Sequence, residues 1–399
     1  MPQDDAQRWC PFRAAAEDLK RIAADVSEIP AIQQKALAEH DALKVPDRVA
    51  HQYQIAGSKV LFKVADTLPP ALQDIGLFVP GSQHVGIGRV STGLGTPHVE
   101  PNPDFLGLLL AFQTQAGHRV DFLAINDPAS PADDHLDFMS VLHATSAAAG
   151  ADVPFVGDLG DRDLINIAAS QSVFAASLAN RMGLLKAGKT MLHLTKQTAA
   201  TFRSSTAWQS YWTGIVELSG EAGKFTIVPA RDENHGPGLH PGERLFSKDW
   251  KERQQRGDVE FRLYWIAYLD EEKTPTTGLT RPWQEDHKQF ACTVVFPQHD
   301  AASEEARLWS MLAAEMGGNP GNWIANKENS IPDPSTEFGI ARQLAYAASQ
   351  KGRNALPRDA YRTVFETGQI GEELARELRR RRDEKARAGH VDQAPWDAL

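Results

Sequence analysis

The segment GIARQLAYAASQKGR (residues 339–353) has the clearest capacity for chemistry in this sequence, because it contains two arginines and a tyrosine. The alanine and leucine content predicts a helix, on which Arg342, Tyr346, Gln350 and Arg353 would share an arc of about 80° on one side. A positive charge on Arg342, one turn away, would favour the phenolate form of Tyr346. A phenolate is a hard anionic ligand for ferric iron, and tyrosinate ligates haem iron in some proteins. The alternative is a packed helix face with one aromatic ring and two solvated arginines.

Capping signals define the start of this helix. Asp333 is a candidate N-cap, Pro334 would occupy the first helical position, and Glu337 would lie in the first turn. The segment is therefore predicted to be a discrete helix that presents Tyr346 on a defined face.

Composition excludes several classes of protein. The chain has 399 residues and a net charge of −10, which would repel a phosphate backbone, so no nucleic-acid partner is expected. Cys10 and Cys292 are too few for a disulfide framework. The first residues have no basic and then apolar segment typical of a signal peptide. The apolar run at 105–112 is far shorter than the roughly 20 residues of a membrane helix. We therefore expect a soluble, cytoplasmic protein with no membrane span.

Three regions are predicted along the chain. They are an N-terminal helical arm at 1–45 that is interrupted at Pro30, a strand-rich body at 46–300, and a helical segment at 301–399 that ends in a charged tail. Within the body, helices are predicted at 133–149 and 162–187. Strands are predicted at 51–66, 84–92, 105–114, 118–126, 211–219, 224–230, 261–269 and 290–297. Two groups of antiparallel strands separated by helices indicate an α+β fold built on a barrel or a sandwich.

Five segments, taken in order, resemble the catalase superfamily and its small catalase-related, haem peroxidase-like branch. The run R-x-x-x-Y-x-x-x-x-x-x-R at 342–353 resembles the proximal haem helix of that family. Segment 45–69 resembles the arginine, two small residues and distal histidine that open the first barrel strand. The other similar segments are IGRVSTGLG at 87–95, VDFLAINDPASP at 120–131 and DVEFRLYWIAYLDEEKTPTTGLTRPWQED at 258–286.

This resemblance implies a catalase-like antiparallel β-barrel that holds haem b, with iron ligated by Tyr346 and Arg342 keeping that tyrosine ionised. His51 would be the general base, Asn126 would orient the peroxide, and Ser91 would help to hold His51. The remaining residues that the resemblance implies are the propionate-binding arginines Arg48, Arg89 and Arg353. The implied partners are a peroxide and an organic co-substrate, and relatives assemble through their N-terminal arms, which implies a homo-oligomer.

The sequence departs from the family pattern at several of these positions. Asp127, Pro128 and the three residues after it replace a Thr-Pro and a phenylalanine pair that narrows the channel in typical catalases. Leu106 stands where an arginine is usual, and Ala348 stands where an aspartate is usual. Ala50, beside the histidine, is smaller than the usual valine. These departures favour a roomier pocket for an organic hydroperoxide or a reducing co-substrate over rapid dismutation of hydrogen peroxide.

Other functions remain open at this stage. They are a hydroperoxide isomerase or dehydratase of the allene oxide synthase type, a non-catalytic haem-binding protein, and a barrel that has lost its haem site. His235 and His240, near Asp232 and Glu243, could form a metal loop, although their glycine- and proline-rich context favours a surface loop.

Overall fold

A computed structural model of the chain describes residues 16–39, 44–73, 75–93, 105–149, 161–201, 205–218, 221–230, 246–322, 330–331 and 337–390. The strands are β1 (Gln54–Val64), β2 (Gln83–Thr92), β3 (Leu106–Gln113), β4 (Arg119–Ile125), β5 (Tyr211–Thr213), β6 (Val216–Leu218), β7 (Glu221–Pro229), β8 (Val259–Ala267), β9 (Gln289–Phe296) and β10 (Ser330–Ile331). The helices are α1 (Ala16–Val26), α2 (Ile29–Glu39), α3 (His135–Ala149), α4 (Asp161–Met182), α5 (Leu184–Thr201), α6 (Phe246–Arg256), α7 (Glu304–Glu315), α8 (Glu337–Gly352), α9 (Arg362–Thr367) and α10 (Glu372–Arg387).

Antiparallel pairing closes a barrel in the order β1, β2, β3, β4, β5, β7, β8 and β9, with β9 pairing back to β1. The short strand β6 continues the pairing of β5 along β7, and β10 adds to β6. The predicted α+β class and catalase-like barrel are confirmed. Each predicted strand overlaps an observed one, but the strand predicted at 211–219 is divided into β5 and β6. The single helix predicted at 162–187 is two helices, α4 and α5, because Gly183 between them adopts φ of 80° and ends the first. Helix α6 and the two-residue β10 are additional.

The interior of the barrel is packed with aromatic and branched side chains. Val60, Phe62 and Val64 of β1 are at most 7% exposed and belong to this core, as their alternation with polar residues predicts. Phe62 packs against Phe122, with ring centroids 5.6 Å apart. Because side chains fill the barrel, space for a ligand lies between its outer wall and the helices.

Helix α8 packs one side against the N-terminal helices and α3. Ala341 and Ala345 are at most 1% exposed and contact a cluster that includes Ile22, Ile29 and Leu142. Gln33 of α2 donates a hydrogen bond to the Ser349 carbonyl at 3.2 Å. The small residues of α8 therefore allow close packing on this side.

Two sequence predictions concern residues outside the described part of the chain. The proposed cap at Asp333 and Pro334 is one, and the possible metal loop at 232–243 is the other. The break predicted at Pro30 corresponds to the junction between α1 and α2, where Pro30 occupies the first turn of α2. None of the helices in the described ranges is both long enough and apolar enough to cross a membrane.

Candidate functional site

Two adjoining cavities separate α8 from the outer wall of the barrel. The first, here called the arginine cavity, encloses about 700 Å³ and is lined by Arg48, Arg89 and Arg353 together with His51 and Tyr346. The second, here called the apolar chamber, encloses about 1000 Å³ and is lined chiefly by Phe105, Phe138, Trp212, Leu279 and Phe338. Both volumes include space that is open to solvent.

His51, Ile125, Arg342 and Tyr346 line both cavities, which are therefore parts of one hollow. Arg342, Tyr346, Gln350 and Arg353 all line the arginine cavity, so the four residues share one side of the helix and its C-terminal end, as their spacing predicts.

His51 is held in a constrained position just before β1. Its backbone has φ of 57°, a left-handed conformation that non-glycine residues adopt at a cost of order 1–3 kcal/mol. Its amide donates to the Gly93 carbonyl at 3.0 Å. The Arg89 guanidinium donates to the His51 carbonyl at 2.8 Å and to the Gln52 carbonyl at 3.1 Å. These bonds hold the histidine at the cavity wall.

Hydrogen bonding defines the tautomer of the His51 ring. Nδ1 lies 3.1 Å from the Thr92 carbonyl, which only accepts, so Nδ1 carries the proton and Nε2 is the basic nitrogen. The Ser91 hydroxyl is 3.3 Å from the same Nδ1, which is the contact expected of Ser91. Burial, with smaller effects of Arg89, Arg342 and Arg48, lowers the pKa of His51 to about 3, so its ring is neutral near pH 7.

Gly107 of β3 allows the histidine ring to approach the strand closely. A Cβ atom at this position would be 2.3 Å from Nδ1 and 2.5 Å from Cε1 of His51. The ring also makes an edge contact with Phe105, with centroids 5.8 Å apart. Gly107 was not among the predicted site residues, although a glycine inside a strand is a sequence signal of close approach.

Three arginines, of which Arg89 is buried and Arg48 and Arg353 are partly buried, form the end of the arginine cavity. Arg48 and Arg353 both donate to main-chain carbonyls at the C-terminal end of α7, at 2.6 Å to Ala314 and 2.7 Å to Met316 respectively. These carbonyls have no partner within the helix, and the negative end of the helix dipole attracts cations. The third member, Arg89, donates to the Gln54 side chain at 2.9 Å.

Burial and mutual repulsion disfavour the charged forms of these three arginines. Burial lowers the pKa of Arg48, Arg89 and Arg353 to about 9, and like charge within the group contributes for each of them. Asp47 and Glu315 are nearby counter-charges. The Nε atom of Arg353 is buried without a hydrogen-bond partner. An anionic ligand in this cavity would satisfy this donor and offset the repulsion.

Asn126 lies apart from the other predicted residues. Its Oδ1 accepts from the Leu106 amide at 2.6 Å, and it lines neither cavity, whereas Ile125 lines both. Leu123 and Ile125 of β4 line both cavities, whereas Asn126 is the first residue beyond the end of this strand. The role predicted for Asn126 stays a prediction.

Lys224 on β7 was also not predicted as a site residue. It lines the apolar chamber and is only 5% exposed. On the neighbouring strand β8 it is paired with Ile266. Its signal in the sequence was a lysine inside EAGKFTIVP, where both faces of the strand are buried.

Solved structures of catalases share this architecture. A fungal catalase aligns with a TM-score of 0.56 and 16% identity over 77% of this chain and 60% of its own. Catalase A from Saccharomyces cerevisiae aligns with a TM-score of 0.54 and 14% identity over 83% of this chain and 64% of its own. A bacterial catalase aligns with a TM-score of 0.56 and 16% identity over 82% of this chain and 61% of its own. The chain thus spans about three fifths of the length of these catalases.

These alignments define the class of the fold. The chain has a catalase-like fold, as the resemblance of its sequence segments implies. Comparison of the sequence with protein-family models and with curated proteins gives no significant match. The assignment to the small catalase-related branch stays a prediction.

Proposed function

We propose that the chain is a haem-dependent oxidoreductase that metabolises peroxides, with organic hydroperoxides favoured over hydrogen peroxide. The observation that carries this proposal is that Tyr346 and His51, from distant parts of the sequence, line one hollow that ends in three arginines. The catalase-like fold supports the same class of chemistry at the family level. Compartment and assembly, predicted as cytoplasmic and homo-oligomeric, stay predictions.

The residues of the arginine cavity fit a haem group. Tyr346 offers a phenolate oxygen as the iron ligand, a known mode of haem ligation. Arg48, Arg89 and Arg353 offer guanidinium groups for the propionates, and the buried Nε of Arg353 still needs an acceptor. Where α8 lines the cavity, Ala345 and Ser349 have small side chains that leave room for a ligand. When bound, haem would supply the redox chemistry of peroxide O–O cleavage.

His51 would move the proton during this cleavage. Its neutral Nε2 takes a proton from one peroxide oxygen and returns it to the other, which leaves as water or as an alcohol. Because the imidazolium is disfavoured in this site, with a pKa of about 3, His51 readily gives the proton up. Overall, a hydroperoxide accepts two electrons and two protons and yields an alcohol and water. A second peroxide or an organic donor supplies the electrons.

The apolar chamber supports the preference for organic hydroperoxides. The segment from Asp127 to Ala132 contributes proline, alanine and serine side chains to its wall, where a phenylalanine pair was noted as usual in the family. Hydrocarbon can therefore replace water against this wall at a gain of about 25 cal/mol per Å² buried. Ile125, which faces both cavities, offers no hydrogen bond to a small polar peroxide.

The test is the absorption spectrum of the purified protein beside those of two variants. Wild type should show a ferric high-spin haem band with phenolate charge-transfer features, and Tyr346→Phe should lose or shift them. Tyr264→Phe is the matched control, because Tyr264 packs on Phe290 and lines neither cavity. An identical spectrum for wild type and Tyr346→Phe, or no haem uptake when haem is supplied, would refute the proposal.

Turnover then separates the proposal from its alternatives. The proposed oxidoreductase should convert an organic hydroperoxide to its alcohol and oxidise a donor. The isomerase alternative, which the size of the apolar chamber also favours, would consume the hydroperoxide without a donor and yield a rearranged or dehydrated product. A non-catalytic haem protein would bind haem and leave the hydroperoxide unconverted.

A further inference from the structure

Charge is distributed unevenly along the chain, and the segment that forms most of α4 and all of α5 is basic. No aspartate or glutamate lies between Asp163 and Glu217 in the sequence, although 52 of the 399 residues are acidic. A protein of net charge −10 therefore contains one long segment that attracts anions. The cationic residues that this segment contributes to the two helices are Arg181 at the end of α4 and Lys186, Lys189 and Lys196 on α5.

The outward side of α5 also carries leucines. Leu184 and Leu185 are 82% and 88% exposed, and Leu192 is 58% exposed. These three are the most exposed large hydrophobic side chains in the described part of the chain. At roughly 100° per residue, the leucines occupy an arc of about 100° around the helix, and Lys189 and Lys196 border that arc. The face therefore combines apolar and cationic groups.

The remaining sides of α5 attach it to the rest of the protein. Ala187 packs in a buried cluster with Leu178 of α4 and Val141 of α3, and the Lys186 ammonium lies 2.6 Å from the Asp137 carboxylate of α3. The three exposed leucines are not members of this cluster, so packing among the described residues does not explain them. Exposed apolar groups that are grouped together and bordered by polar ones mark sites of interaction.

We propose that α5 docks on an anionic lipid surface, with Leu184, Leu185 and Leu192 entering the boundary between the headgroups and the acyl chains. Lys189 and Lys196, which border the leucines, then lie level with the lipid phosphates. Amphipathic helices of this kind lie in the plane of a membrane surface. Their affinity combines the burial of an apolar face with the attraction of basic side chains to anionic headgroups.

The composition of this face favours lipid over a second copy of the chain. The centres of protein interfaces are depleted in lysine and enriched in aromatic residues, methionine and arginine. The exposed face of α5 instead combines leucine with lysine, and the helix contains no phenylalanine, tyrosine or tryptophan. A fluid lipid surface also needs no shape that is complementary to the leucines.

Sedimentation with lipid vesicles tests the proposal on the full-length protein. The partition coefficient on vesicles of equal parts phosphatidylserine and phosphatidylcholine should be at least about 10-fold higher than on vesicles of phosphatidylcholine alone. Raising sodium chloride from about 0.1 M to about 0.5 M should weaken binding, because salt screens the lysines from the headgroups. Equal binding to the two kinds of vesicle, or binding to neither, would overturn the proposal.

Two double variants then locate the docking surface. Lys189→Gln/Lys196→Gln should lower the partition coefficient on the anionic vesicles about 30-fold, since each lysine near such a surface contributes about five-fold. Leu184→Ser/Leu185→Ser should lower it at least about 10-fold, because the leucines no longer bury hydrocarbon. Wild-type binding by either variant would overturn the assignment to α5. The controls, which change exposed residues of β1, α6 and the segment after β8 and should bind as wild type does, are Lys63→Gln/Lys248→Gln and Leu269→Ser.

A second copy of the chain is the alternative occupant of this face, and sedimentation velocity without vesicles detects it. A dimer that Leu184→Ser/Leu185→Ser dissociates, in a protein that does not bind anionic vesicles, would overturn the lipid assignment. Vesicle binding needs neither haem nor a peroxide. Its failure therefore leaves the proposed function standing, and a protein that takes up no haem can still dock on lipid.

Discussion

The protonation of His51 should make stability depend on pH in a way that one substitution can isolate. In the folded protein, burial lowers the pKa of this ring to about 3 from an ordinary value of 6.5. As pH falls below 6.5, the unfolded chain binds a proton at His51 while the folded chain does not. The contribution of neutral His51 to stability is therefore complete above that value and is lost progressively as pH falls towards 3.

The size of the effect follows from this difference in pKa. One pKa unit corresponds to 1.36 kcal/mol, so the folded state should lose about 2 kcal/mol through His51 between pH 7 and pH 5. In His51→Gln this loss disappears. The free energy of unfolding of the variant should therefore fall by about 2 kcal/mol less than that of wild type over the same interval.

Urea denaturation at pH 7 and pH 5, followed by circular dichroism, measures both free energies. His118→Gln is the control for removal of an imidazole, because His118 is exposed in the turn between β3 and β4. It should follow the wild-type pH dependence. An equal loss of stability in wild type and His51→Gln would refute the view that His51 is held neutral by burial.

Two further predictions concern the residues that hold His51. Gly107→Ala should destabilise the protein by about 1–3 kcal/mol because its Cβ would overlap the His51 ring, and it should lower the rate of hydroperoxide turnover about 100-fold. Thermal unfolding measures the loss of stability, and steady-state kinetics measures the rate. Wild-type stability and rate in this variant would contradict the close contact. Arg89→Met should lower the free energy of unfolding by about 1–3 kcal/mol for each carbonyl, of His51 and of Gln52, that is left without a donor. Arg262→Met is the control, because Arg262 is exposed. Equal urea midpoints for the two variants would exclude the role of Arg89 in holding the His51 backbone.

Much of the fold was accessible from local patterns in the sequence. The alternation around Val60 and Phe62 identified β1, and Gly117 identified the turn between β3 and β4, where it adopts φ of 83°. These features depend on neighbours in the chain, and side-chain periodicity reports them directly. Helix α6 and strand β10 were not predicted, and β10 is only two residues long.

The sequence also determined which residues were candidates for chemistry. Spacing on one helix placed Arg342, Tyr346 and Arg353 on a shared side, and the structure agrees that all three line one cavity. The resemblance to the catalase superfamily brought in His51, which lies almost 300 residues earlier in the sequence. Spacing alone would not have paired the two, because it carries no information on long-range contact.

Only the tertiary structure decided what surrounds these candidates. Barrel closure brings β2, β3 and β4 under α8, and Ile125, rather than Asn126, then lines the cavities. The low pKa of His51 and the closeness of Gly107 to its ring also depend on groups from separate elements. Electrostatic environment and steric fit are properties of atoms brought together by folding. The sequence determined the chemical groups, and the packing of helices on the barrel determined where they act.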